Sequence, residues 1–309
     1  MKFKYLSLGL ICITLCCRAQ QNHSKQIDGQ LLQSAYKHHS LIELNAFFES
    51  WRNHTPTISA SDLNQLNDTV KQAYRVFTAF YKPLDVQAIG GSEFGNNVYT
   101  QVKYLVIQND LEIYFSDKLI YSAKDSEEVA IRNIKESHYR QSLTDSLLMR
   151  TNGRLSPRVL KRYGPDDFRI GMLRNKDTLQ KRVNNFRPEI NCADKQPLYL
   201  TSHYDTLLNA FLGNTHMELG AGSIMNPARS AGESQKRQQF LDKLIKIWYG
   251  HWGGYWQLYS YPYVSRITFD KDMQYARVYF RFIYEGGEAI LKNDNGQWRI
   301  LSSKLTWIE

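Results

Sequence analysis

The chain reads as an α+β protein: a C-terminal curled antiparallel sheet packed on helices, preceded by a helical and β-hairpin N-terminal region. Three observations point there. Apolar residues recur at helical spacing between Leu41 and Tyr81, alternation with a period of two takes over near Val98, and the last fifty residues are alternating runs joined by glycine-containing turns.

The elements follow in order. Lys2 and Lys4 precede the apolar run Leu6 to Leu15, then Ala19 and a polar stretch, the layout of a secretory signal peptide over residues 1–19. The run is too short to span a bilayer. Cleavage after Ala19 makes the protein exported, periplasmic or secreted. A lipid anchor at Cys16 or Cys17 is the rival processing route, and Leu15 before Cys16 fits it poorly. Removing the leader leaves Cys192 as the one cysteine, so stability has to come from a packed core rather than from an internal disulfide. No second long apolar stretch appears, and no transmembrane segment is expected.

Leu44, Phe47, Phe48 and Trp51 predict a helix over Leu41 to Trp51. Leu63, Leu66, Val70, Ala73, Tyr74, Phe77 and Phe80 predict a second over Asp62 to Tyr81, stopped by Pro83. Val98 to Tyr121 alternates in two short runs around Asn109-Asp110 and predicts a hairpin. Residues 20–196 form one N-terminal region and 197–309 a second domain. In the second, Leu198 to Thr201 is a strand, Ser202 opens a helix ending at Gly213, and a further helix runs from Glu233 to Tyr249 with Phe240, Leu244, Ile247 and Trp248 on one stripe. Strands over Val264 to Asp270, Tyr275 to Glu285, Glu288 to Lys292 and Gln297 onward follow, with Gly286-Gly287 and Asn295-Gly296 as turns. On that register Val278, Phe280, Phe282 and Tyr284 share a core face with Ala289 and Leu291.

Helices followed by long hairpins and the closing run Asn295-Gly296-Gln297-Trp298-Arg299-Ile300 resemble the end of an NTF2-like (cystatin-like) domain over about residues 197–309. The resemblance implies a sheet curled into a cone around helices, with a pocket inside. That fold serves enzymes and binding modules alike, so it assigns no chemistry.

Charge is uneven. Lys and Arg number 39 against 30 Asp and Glu. From Arg150 to Arg187 eleven basic residues face three acids, a local +8 that leaves the rest of the exported chain slightly acidic. Arg158, Lys161 and Arg162 are the centre of a candidate docking surface for an anionic envelope polymer or lipid headgroup. Nucleic acid is set aside because the chain is expected to leave the cell, and the competing view is a solvated surface whose charges pair elsewhere.

Trp248 to Tyr263 is the most aromatic stretch. His251, Trp252, Tyr255, Trp256 and Tyr259 are the candidate ligand-binding residues, because aromatic faces stack on flat ligands such as glycan rings; the same residues also suit a core. His203, Asp205, His216 and Glu218 offer metal-ligand types, but Ser202-x-x-Asp205 fits a capping box and residues two apart on a helix diverge, so no metal is expected. Gly220 to Ser223 lacks a following P-loop lysine, no Gly-x-Ser-x-Gly occurs, and no cofactor is expected. The leading functional expectation is non-catalytic binding of a small molecule or glycan in the cell envelope. Its competitor is a hydrolase-type enzyme using His251 or the Glu285 and Glu288 pair in the same pocket.

Overall fold

The computed structural model describes residues 27–90, 95–138, 140–165, 177–192, 194–213, 231–249 and 256–308. The expected leader with Cys16 and Cys17 lies outside them.

Helical residues 27–37 (α1) lead into α2 (Leu41–His54), whose Ser40 cap accepts from the Glu43 amide. The long helix expected over Asp62 to Tyr81 is two, α3 (Ala60–Gln65) and α4 (Asp68–Phe80). Leu66 is extended and the Asn67 side chain accepts from the Val70 amide, so a capping residue restarts the helix where periodicity alone reads through.

The expected hairpin does not form. β1 (Tyr104–Gln108) pairs in parallel with β6 (Gln196–Leu200), whereas β2 (Asp110–Ser116) pairs with β5 (Thr178–Asn184) and β9 (Tyr263–Asp270). Only Asn109 separates β1 from β2, and one residue cannot reverse a chain as a two-residue hairpin loop does. Asn109 instead carries the chain from one sheet to the next, its carbonyl accepting from the Phe186 amide at 2.8 Å.

The main sheet has six strands in the order β12-β11-β10-β9-β2-β5, with β10 (Tyr275–Phe282), β11 (Glu285–Asp294) and β12 (Gln297–Ile308). Register shifts beside Tyr279, Gly287 and Leu291 bend it. The curled sheet packs its apolar face, with Ile113, Ile267, Phe269, Val278, Phe280 and Leu291, on Phe77 and Phe80 of α4. The opposite face carries a row of polar partners on successive strands, Arg182, Glu112, Arg266, Tyr279, Glu288 and Lys304. Arg182 meets Glu112 at 2.7 Å, the Arg266 guanidinium lies 4.0 Å from the Tyr279 ring centre, and Lys304 meets Glu288 at 3.0 Å. Strands from both sides of residue 197 thus share one sheet.

The core face of β10 and β11 is the expected one, reached in a different register. Phe282 pairs with Glu285, not with Leu291 as a turn at Gly286-Gly287 requires, a shift of six residues. An even shift leaves every side chain on its own face. The turn is Ile283-Tyr284, and the glycines lie inside β11. A Cβ on Gly286 would run into the Trp307 indole, and one on Gly287 would meet the Lys304 carbonyl oxygen and the Phe280 ring at 2.5 Å. Asn295-Gly296 is a turn as expected, with φ of 54° and 88°.

A second core surrounds β1 and β6. Phe47, Phe48 and Trp51 of α2 pack there with Leu32 of α1, with Tyr204, Leu208 and Phe211 of α8 (Ser202–Leu212), and with Phe240 and Leu241 of α9 (Ala231–Leu241). The α9 helix ends eight residues before the expected Tyr249. Asp242 accepts from the Ile247 amide and the Leu244 carbonyl accepts from the Lys103 and Tyr104 amides, which turns the chain into β7 (Trp248–Tyr249), paired with β8 (Trp256–Gln257). Trp248 therefore leaves the helical stripe.

Between β2 and β5 the chain makes a long excursion with its own small core of Ala130, Ile134, Leu155 and Tyr163. It holds α5 (Ala123–Ser137), α6 (Gln141–Leu147), the hairpin β3 (Arg150–Thr151) and β4 (Arg154–Leu155), and α7 (Pro157–Tyr163). No helix among the described residues is long and apolar enough to cross a membrane.

Candidate binding cleft

The segment Trp256 to Val264 is laced between the two sheets. Ser260 donates its amide to the Val106 carbonyl at 2.7 Å and accepts the Val106 amide on Oγ at 2.9 Å. The Tyr261 amide donates to the Tyr99 hydroxyl, the Tyr81 hydroxyl donates to the Ser260 carbonyl, and the Gln108 amide group makes reciprocal bonds with the Val264 backbone. An aromatic stretch that would otherwise be a loop is thereby held rigid by backbone bonds, each one removing a buried polar group from the unpaired state.

This segment forms a cleft of about 200 Å³ with the first turn of α8 and the end of β10, lined by Asp205, Trp256, Gln257, Leu258, Tyr259, Tyr261, Tyr263 and Arg281. Trp256 and Tyr261 are buried walls, 8% and 4% exposed. Tyr259 and Tyr263 are half-buried, their ring centres 4.9 Å apart. No described group hydrogen-bonds either hydroxyl. Burial raises the Tyr259 phenol well above its ordinary value, and the charges of Asp110 and Asp205 add to this. Burial also raises the Tyr263 phenol, again with Asp110 contributing. Asp205 is pushed up by burial and held back by the Asn209 amide, which donates to its carboxylate at 3.2 Å. Arg281 donates Nε to the Ile283 carbonyl and lays its guanidinium over the Trp307 ring. Phenols kept protonated, a partly desolvated carboxylate and flat rings make a surface suited to a polar, ring-shaped ligand.

Of the sequence candidates, Trp256 and Tyr259 line this cleft. His251, Trp252 and Tyr255 lie outside the described residues, as do His216, Glu218 and Gly220 to Ser223. Trp256 also belongs to the second core, so packing and lining are one role for it. Arg158, Lys161 and Arg162 stand on α7 in the excursion, away from the cleft lining. Glu285 and Glu288 do not face each other: Glu285 is opposite Phe282 and Ile308, and Glu288 is opposite Tyr279 and Lys304. Neither lines the cleft.

The expected capping box at Ser202 is absent, because Thr201 is the cap residue and makes no side-chain bond; this frees Asp205 for the cleft. His203 turns the other way, its Nε2 3.8 Å from Asp28. Among the described residues no group of three or more metal-ligating side chains converges.

Asp28 itself was not singled out by any motif. It is 1% exposed and joins three helices, accepting from the Ser50 hydroxyl of α2 at 2.7 Å and the Tyr204 hydroxyl of α8 at 2.8 Å, with His54 at 3.5 Å. A larger groove of about 520 Å³ lies between α1 and α8, and among the described residues no titratable side chain lines it. Compared with protein-family models, curated proteins and solved structures, the chain matches none.

Proposed function

We propose that the protein is an exported, non-catalytic binding protein of the cell envelope that takes a sugar ring or the end of a glycan into the cleft beneath Trp256. The observation that carries this reading is that the hydroxyls of Tyr259 and Tyr263, bonded by no described group, line one cleft with the Asp205 carboxylate and buried aromatic walls. Such a set offers donors, an acceptor and stacking faces at one place. The volume falls below the roughly 300 Å³ at which drug-sized pockets begin, which suits one ring rather than a whole oligomer. Asp205 is the single carboxylate among the described lining residues, and a glycosidase of the usual kind needs two; this supports binding over hydrolysis.

The NTF2-like resemblance belongs to the same proposal. It is supported by the curled antiparallel sheet β9 to β12 on a helix, with the helix here being α4 from the N-terminal region.

A thermal-shift screen of the chain against glucose, galactose, N-acetylglucosamine and their short oligomers tests the reading. A sugar at a hundred times its dissociation constant adds about 2.7 kcal/mol, which moves the midpoint by several degrees. The shift is expected to vanish in an Asp205→Asn, Tyr259→Phe double variant. A sugar that shifts both proteins equally binds elsewhere and overturns the assignment.

A further inference from the structure

The excursion between β2 and β5 carries a second surface, independent of the cleft. Because β2 and β5 pair with each other, residues 117–177 leave and rejoin the sheet at its edge strand. From residue 140 to 165 the chain holds six cations, Arg140, Arg150, Arg154, Arg158, Lys161 and Arg162, and one acid, Asp145. All six cations are exposed. Arg150 has Glu127 at 3.8 Å, but Arg154, Arg158, Lys161 and Arg162 have no carboxylate at ion-pair distance among the described residues. This differs from the main sheet, where Arg182 of the same basic stretch is paired with Glu112.

The charge comes with apolar exposure. Met149, next to Arg150 at the base of the β3–β4 hairpin, is 78% exposed, and Leu143 of α6 is 44% exposed. The hairpin reverses through Asn152 and Gly153, both at positive φ, and every residue from 149 to 154 is exposed. Cations without a carboxylate partner, in a module that also exposes a thioether, fit a surface that is anionic at its face and apolar just below it. A soluble polyanion would use the cations and leave Met149 in water.

We infer that this module docks on an anionic lipid bilayer, with Arg154, Arg158, Lys161 and Arg162 at the headgroups and Met149 at the acyl boundary. Each cation near such a surface contributes about fivefold in affinity, and the attraction is screened by salt. The test is co-sedimentation of the full chain with vesicles of mixed phosphatidylglycerol and phosphatidylcholine, against phosphatidylcholine alone and against soluble heparin. All proteins compared are identical outside the substitutions, so differences between variants read the module.

Arg158→Gln is expected to weaken binding to the mixed vesicles about fivefold, and replacing all four unpaired cations by Gln several hundredfold. Melting midpoints are expected to stay unchanged, since these side chains are exposed. Met149→Ser is expected to weaken vesicle binding and leave heparin binding as it was. Equal binding of the fourfold variant and the parent, or vesicle binding indifferent to phosphatidylglycerol, overturns the proposal. So does a Met149→Ser variant that binds vesicles as the parent does, which would make the patch a site for polyanions.

Discussion

A Cβ added to Gly287 would lie 2.5 Å from the carbonyl oxygen of Lys304 on the neighbouring strand, closer than any real contact of that kind. Lys304 is paired with Glu288 of β11, so the clash falls on backbone held in the sheet. Gly287→Ala is therefore expected to destabilise the protein by about 2 kcal/mol, the middle of the range for overpacking. Gly286→Ala is expected to cost less, because its obstacle is the indole of Trp307, which is 39% exposed and has room to swing. Urea unfolding of the two variants checks the order, and a larger loss in Gly286→Ala would contradict it.

The two glycines also show what was legible in the sequence. Alternation placed Val278, Phe280 and Ala289 on the core face without knowledge of the register, since parity survives any even shift. The composition of Gly286-Gly287 pointed to a turn because close packing against a ring and a strand leaves the same residue type behind. Only a three-dimensional neighbour separates the two causes. Asp205 was hidden similarly: Ser-x-x-Asp is a capping pattern, and Thr201 taking the cap position released the carboxylate. Asp28 carried no local signal, because its partners Ser50 and Tyr204 lie 22 and 176 residues away. The aromatic stretch was readable as a unit, yet its rigidity depends on Val106, Gln108 and Tyr99, which pattern alone does not connect to it.

Tyr204 stacks on Trp51 with ring centres 4.4 Å apart and donates its hydroxyl to buried Asp28. Tyr204→Phe keeps the stack and removes the donor, so a cost of about 2 kcal/mol is expected, as for hydrogen bonds to charged groups. Chemical denaturation reads it directly. A change within a few tenths of a kcal/mol would show that Asp28 is satisfied without the Tyr204 hydroxyl.

Stability at low pH has a defined contributor in Glu49. The Tyr104 hydroxyl, with Arg52 and Lys103, holds its carboxyl down from the ordinary 4.5 to about 2. A depressed carboxyl stabilises the fold above its unfolded value and loses that contribution as pH falls, so the effect is present above about pH 4.5 and disappears toward pH 2. Partial exposure of Glu49 screens its magnitude. Glu49→Gln is expected to flatten the fall in stability across that window, measured by unfolding at a series of pH values. A slope identical to the parent's would remove Glu49 from the account.

Titration calorimetry of the sugar that gives the largest thermal shift, on the parent and three variants, locates the binding site. Tyr259→Phe is expected to weaken binding about fivefold, the worth of one hydrogen bond, and Asp205→Asn to weaken it more. Gln33→Ala, in the larger groove between α1 and α8, is expected to leave it unchanged. Unchanged affinity in both cleft variants together with a loss in Gln33→Ala would contradict the account and move the binding site to that groove.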